Sequence, residues 1–325
     1  MDDEMFAREK TRRFEGLKGA ARKLPSIIAV SIAAYVLGGY SFKNDLPPAP
    51  YIRSLEQWIS SKAYAYDEFG RLTAYSGKIE LSCPMQDDKT GVIFAFGQSN
   101  SANHGEKYTA LANYRNILNY FDGKCYDALP PLLGASGDRG SFLPLLADKL
   151  VAAGIYDKVV IISSGVAGTN IARWGSGGDL HGIARDVIRN FVGKYDVTDI
   201  IWHQGESDYL ANTSVDEYES QFRSLLDMVR ENTIRAPAYI GIASKCNMMS
   251  FFEKRWRSSN SVTEAQQKLV KSGLVVLGAD TDQLITDNFR LPDKCHFNFS
   301  GEMATADAYA EAIKLHHGVK SIAVE

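Results

Sequence analysis

The sequence predicts an α/β protein, a parallel sheet covered by helices on both faces and preceded by a membrane-spanning helix. Three observations predict it. From residue 91 onward, short apolar runs rich in β-branched residues alternate with amphipathic stretches. Several of those runs end in glycine or a small polar residue, as strand-to-helix turns do. Ahead of them, residues 24–42 form an uncharged run that follows Arg8, Lys10, Arg12, Arg13, Lys18, Arg22 and Lys23.

The strand candidates are residues 92–96, 159–163, 199–203, 238–243 and 274–278. Each is almost continuously apolar, the pattern of a strand covered on both faces. The helix candidates are 142–153, 180–192, 215–231, 262–271 and 301–314. Regular alternation of the two types implies parallel pairing with crossover helices. Ligands of such sheets bind beyond the carboxyl ends of the strands. The residues just after each strand are therefore where chemistry is expected.

Residues 1–23 read as a basic cytoplasmic tail. The uncharged run at 24–42 holds 19 residues, against about 20 for a helix that crosses a bilayer. Only Lys43 and Arg53 follow it closely, so the positive-inside rule places the N-terminus in the cytoplasm and the remainder on the extracytoplasmic side. A single-pass anchor in a lipid bilayer is expected. A cleaved signal peptide is the rival reading, but no convincing small-x-small cleavage site precedes Asn44-Asp45. Residues 43–85, with Pro47-Pro48-Ala49-Pro50, read as a linker followed by a small β-hairpin. Residues 86–318 form the main domain.

A chain of 325 residues, 45% of them hydrophobic, can bury a sizeable core. Its net charge of -3 and lack of a basic field give nucleic acid no footing. Cys83, Cys125, Cys246 and Cys295 show no zinc spacing. Two disulfides, Cys83–Cys125 and Cys246–Cys295, are one of three possible pairings, and four buried thiols are the alternative. No metal-ligand cluster, phosphate-binding loop or dinucleotide fingerprint appears, so no cofactor is expected.

The strand ends carry a consistent set of groups. After the first comes Gly97-Gln98-Ser99-Asn100, a tight turn that exposes a hydroxyl and leads into backbone N–H donors. After the second comes Gly165-Val166-Ala167-Gly168-Thr169-Asn170, where Gly168 lets an N–H approach a ligand closely. After the third comes Gln204-Gly205-Glu206-Ser207-Asp208, with a carboxamide able to donate to an oxyanion and a carboxylate able to fix a loop or hold a substrate hydroxyl. Ser207 and Asp208 read as helix caps. Asp293 and His296, three apart in one loop, suit a carboxylate that orients an imidazole. That imidazole would deprotonate Ser99 and later protonate a leaving alcohol.

Together these segments resemble the SGNH hydrolase superfamily, and within it the sialate O-acetylesterase and acetylxylan esterase branch. The matching pieces are GQSN at 97–100, GTNIARW at 168–174, WHQGESD at 202–208 and DKCHFN at 293–298. The resemblance implies a flavodoxin-like three-layer fold with a five-stranded parallel sheet. It implies Ser99 as nucleophile, His296 as base and Asp293 as its orienting acid. The N–H groups of Ser99 and Gly168 and the side chain of Gln204 would form the oxyanion hole. Gln98, Asn100, Asn170 and Glu206 would contact substrate, an acetylated glycan or glycoconjugate. Gln204 stands where the wider superfamily has Asn, a departure typical of the branch with a QGE motif. Residues 103–124 fit none of the motifs and read as an insertion shaping the pocket, with His104 a weaker candidate for substrate contact.

The expected activity is carbohydrate O-deacetylation by a serine esterase through an acyl-enzyme. Transfer of the same acyl group to a polysaccharide hydroxyl is the alternative enzyme reading. A catalytically inactive glycan-binding module is the alternative from another class, against which the intact Ser, His, Asp and Gln set argues.

Overall fold

The computed structural model describes residues 64–246 and 260–322, together with 37, 38, 40, 41, 46 and 47. The chain falls into two units, 1–63 and 64–325. In the first, residues 37, 38, 40 and 41 are helical, and the Leu46 N–H donates to the Ser41 carbonyl at 3.0 Å.

Among the described residues no helix is long and apolar enough to cross a membrane. This corrects the expected anchor at 24–42, and with it the bilayer contact and the single-pass, extracytoplasmic placement built on that anchor. Most of the run lies outside the described residues. At 19 residues the run is at the short side of what crosses a bilayer, and Gly38-Gly39 disfavour a helix.

Among its described residues the second unit holds ten strands and six α-helices. In chain order these are β1 Tyr64–Tyr66, β2 Leu72–Tyr75, β3 Glu80–Leu81, β4 Thr90–Gly97, β5 Ile117–Phe121, β6 Lys124–Asp127, α1 Phe142–Ala152, β7 Lys158–Ser163, α2 Asp179–Phe191, β8 Asp199–His203, α3 Glu206–Ala211, α4 Val215–Glu231, β9 Ala238–Ile242, α5 Ser261–Lys271, β10 Val276–Asp280 and α6 Phe299–Ile322. β1 and β2 pair as a separate antiparallel hairpin. The remaining strands form one sheet in the order β10-β9-β8-β4-β7-β5-β6-β3.

The sheet corrects the expected strand count. Five parallel strands were legible, and the structure adds β5 as a sixth, parallel to β7, followed by β6 and β3 running antiparallel. The β5–β6 turn is Asp122-Gly123, both at positive φ (47° and 82°), a pair suited to a tight hairpin. Asn119 breaks the apolar pattern of β5. It is buried, and its amide is satisfied by the backbone N–H and carbonyl of Leu133 at 2.7 and 3.2 Å. Part of the supposed insertion at 103–124 is therefore sheet.

Alternation along the central strands builds the two cores. Phe94, Phe96, Val160, Ile162, Ile200 and Trp202 face α2, α4 and α5. Ile93, Ala95, Val159, Ile161, Ile201 and Tyr239 face α1 and α6. Helices thus cover both faces of the sheet, giving three layers. Helix starts are capped by side chains: Ser141 for α1, Ser214 for α4 and Asn260 for α5. Both disulfides, Cys83–Cys125 and Cys246–Cys295, are formed.

Candidate active site

The carboxyl ends of β4, β7 and β8, adjacent in the sheet, carry the first three segments singled out in the sequence. At the end of β4, Gly97 has φ 137°, and a Cβ there would strike the His203 carbonyl. Only glycine lets the chain turn so close to β8. Ser99–Ser101 then form a 3-10 turn, closed by Ser101 N–H to Gln98 O (2.9 Å) and Ala102 N–H to Ser99 O (3.0 Å). Ser99 is 5% exposed, and its hydroxyl makes no hydrogen bond to the described residues. Its N–H is the first of the turn and has no partner within it.

Gln98 fastens this turn to the next strand end. Its Oε1 accepts from Gln204 Nε2 (3.3 Å), Gly205 N–H (3.4 Å) and Ser207 N–H (3.2 Å). Asn100 fastens it in two directions: its Nδ2 donates to Glu206 Oε1 at 2.7 Å and to the Cys295 carbonyl at 3.3 Å. Gln98, Asn100 and Glu206 are all buried, and Asn100 Oδ1 and Glu206 Oε2 have no partner among the described residues. Burial raises the Glu206 carboxyl above its ordinary range, against the pull of the Asn100 amide.

The loop after β7 places Gly168 at the surface with φ 69°, with open space where a side chain would stand. Its N–H has no partner among the described residues. Asn170 Oδ1 is buried and also unpartnered. Gln204 Nε2 donates to Thr169 O at 2.9 Å and to Asp208 Oδ2, while its Oε1 has no partner. Asp208, read from the sequence as a cap, holds this corner together. It also accepts from Ile171 N–H (2.8 Å) and the Thr213 hydroxyl (2.7 Å).

Ahead of α6, Asp293 Oδ2 meets His296 Nδ1 at 2.7 Å. Asp293 Oδ1 accepts the N–H groups of Cys295 (2.9 Å) and His296 (3.0 Å), a closed turn that the three-residue spacing allows. Burial pushes the Asp293 carboxyl up, but the His296 ring and these two N–H groups outweigh it and leave it below its usual value. An acceptor at Nδ1 selects the tautomer that leaves Nε2 free to take a proton.

Arg290 secures the loop and was missed in the sequence. It is buried, donates to the carbonyls of Cys295, Thr281 (3.0 Å) and Leu284 (2.6 Å), and lies 4.2 Å from the centre of the Phe297 ring. Its hydrogen-bond partners are backbone carbonyls within nine residues, and no residue type announces them. His104 also sits here, its ring 5.4 Å from that of His296 and 25° from parallel. Its Nε2 lies 3.2 Å from the Ser136 hydroxyl. Burial, then the charge of His296, pushes the His104 imidazole down to about 4.

The residue after Ser99 thus hydrogen-bonds the carbonyl of the residue before His296. A family model described as carbohydrate esterase, sialic acid-specific acetylesterase, matches residues 89–314. The chain belongs to this carbohydrate esterase family. It is a serine carboxylic ester hydrolase of SGNH type. Among solved structures, the esterase resembles an Arabidopsis thaliana protein at 15% identity, covering 69% of this chain and 98% of that one, with a TM-score of 0.53. It also resembles NanS at 14% identity, covering 70% and 98%, with a TM-score of 0.51. At these identities the likeness speaks to the fold of the esterase. No curated protein sequence matches it.

Proposed function

We propose that this esterase removes acetyl groups from a glycan through a Ser99–His296–Asp293 triad and an acetyl-enzyme. The carrying observation is the 2.7 Å Asp293–His296 pair, joined through the Cys295 carbonyl to the Asn100 amide beside Ser99. His296 Nε2 takes the proton as Ser99 Oγ attacks the acetyl carbonyl. The N–H groups of Ser99 and Gly168 receive the oxyanion. The imidazolium, held by the Asp293 carboxylate, protonates the departing sugar oxygen. Water, deprotonated by His296, then attacks the acetyl-serine, and acetate leaves as the proton returns to Ser99.

The geometry favours dividing the remaining roles. Gln98, Asn100 and Glu206 position the loops: Gln98 Oε1 holds Gln204, Gly205 and Ser207, and the Asn100 amide holds Glu206 and the Cys295 carbonyl. Asn170 and Gly168 face the substrate. Gln204 shapes the oxyanion pocket, its amide held by Thr169 and Asp208 until substrate arrives.

Acetate release from an aryl acetate and from a panel of O-acetylated glycans tests this reading. Ser99→Ala is expected to lower kcat by about 10⁴-fold or more. Undiminished turnover in that variant would sink the proposal. Product analysis with an unacetylated glycan present tests hydrolysis against transfer: hydrolysis yields free acetate alone.

A further inference from the structure

The β1–β2 hairpin precedes the region that the family model matches. Tyr64 and Tyr75 are cross-strand partners, and their rings stack at 4.6 Å and 7°. Tyr66 continues the row, 6.3 Å from Tyr64 and 24° from parallel. The two lie on one face because side chains two apart along a strand point the same way. At the other end the row is closed by Gly77, where any side chain would run into the Tyr75 ring. The open end is Tyr66, which is 45% exposed.

Hairpin stability explains the Tyr64–Tyr75 pair. It does not explain Tyr66, whose cross-strand neighbour is Leu72, with a register shift between Ala65 and Tyr66. Leu72 supplies the hairpin's fully buried anchor.

The hairpin is clipped to the active-site rim. Leu72 N–H donates to Ala135 O, and Gly134 N–H to Leu72 O, both at 2.8 Å. Arg71 bridges to Ser136, whose hydroxyl reaches His104, the ring stacked on His296. Asp138, two residues on, is half-buried, and its charge acts on Tyr64, Tyr66 and His104 alike. Burial, then Tyr75 and Asp138, push the Tyr64 phenol up to about 12, so it stays a neutral hydroxyl at ordinary pH.

An open aromatic face, two phenol hydroxyls and a carboxylate are complementary to a sugar ring. A pyranose offers an apolar C–H face to an aromatic ring and hydroxyls to polar groups around it. We propose that Tyr66, with Tyr64 and Asp138, forms an accessory sugar subsite for a glycan unit neighbouring the one whose acetyl group reaches Ser99. The role of Ser99 rests on the esterase reading; binding of the neighbouring unit can be tested without it.

The test pairs turnover with binding in the full chain. Tyr66→Ala is expected to raise KM for an acetylated oligosaccharide by about fivefold to tenfold more than KM for the acetylated monosaccharide. Tyr66→Trp restores the difference. An equal change with both substrates, or no change, overturns the subsite. In the binding arm, the Ser99→Ala protein is titrated calorimetrically with unacetylated xylohexaose, chitohexaose and a sialyl trisaccharide. At least one is expected to bind, about fivefold to tenfold more weakly once Tyr66→Ala is added. Absence of binding by all three up to about 10 mM, or indifference to the added substitution, overturns the proposal. This arm needs no turnover, so failure of the esterase reading and failure of the subsite give different results.

Discussion

His104, half-buried, and Glu302, buried, are two ionisable side chains near the Asp293–His296 loop, and they set opposite limits on stability. The His104 imidazole lies at about 4 in the folded protein, below its ordinary 6.5. As pH falls from about 6.5 toward 4, the unfolded chain gains a proton that the folded chain refuses, so stability is lost in that window. His104→Gln should flatten the decline of Tm between pH 6.5 and 4, and equal slopes would exclude His104 as a contributor. Glu302 behaves in reverse. Burial, then the charge of Glu106, raises its carboxyl to about 9, and neither oxygen has a partner. Its contribution is complete below about 4.5 and declines as pH rises toward 9. Glu302→Gln should raise Tm at pH 8.5 by about 2–4 °C or more and change it little at pH 5. The turn at Ser99 and the Asp293–His296 pair were legible as local geometry because each lies in one short segment. Asp208 and Arg290 were not, because Asp208 reaches the loop after β7 and Arg290 bonds backbone carbonyls, which no residue type signals.

At the scale of elements, the loop carrying Asp293 and His296 is held by more than its own hydrogen bonds. The Cys246–Cys295 disulfide ties the residue before His296 to the segment following β9, across a separation of 49 residues. Closing a loop of that length stabilises a protein by on the order of 4 kcal/mol in the chain-entropy picture. Replacing both cysteines by alanine should therefore lower the unfolding free energy by a few kcal/mol. It should also lower kcat at a temperature where the variant remains folded. Denaturant unfolding and turnover measured together check this, and an unchanged kcat would show that the Arg290 and Asn100 hydrogen bonds fix the loop without the disulfide. Strands buried on both faces, such as β4 and β7, could be read directly from continuous hydrophobicity. β5 could not, because its buried Asn119 looks polar in sequence although its amide is satisfied inside the fold. The Asp122-Gly123 turn was the signal that could have found the β5–β6 hairpin.

For the molecule as a whole, the described residues hold no helix long and apolar enough to cross a membrane, and most of the uncharged run at 24–42 lies outside them. The three-layer core was better specified. Its strands alternate between two faces, and each face meets its own helices. One bond across that core has a kinetic consequence. The Asn100 amide and the Cys295 carbonyl are 195 residues apart in sequence. Contacts of such separation carry a large loop-closure cost and tend to form late in folding. Esterase turnover should then report the last stage of renaturation. After dilution from denaturant, burial of Trp174 and Trp202, read by fluorescence, should precede or accompany the return of acetate release. Acetate release returning ahead of that fluorescence would show instead that the centre assembles before its scaffold.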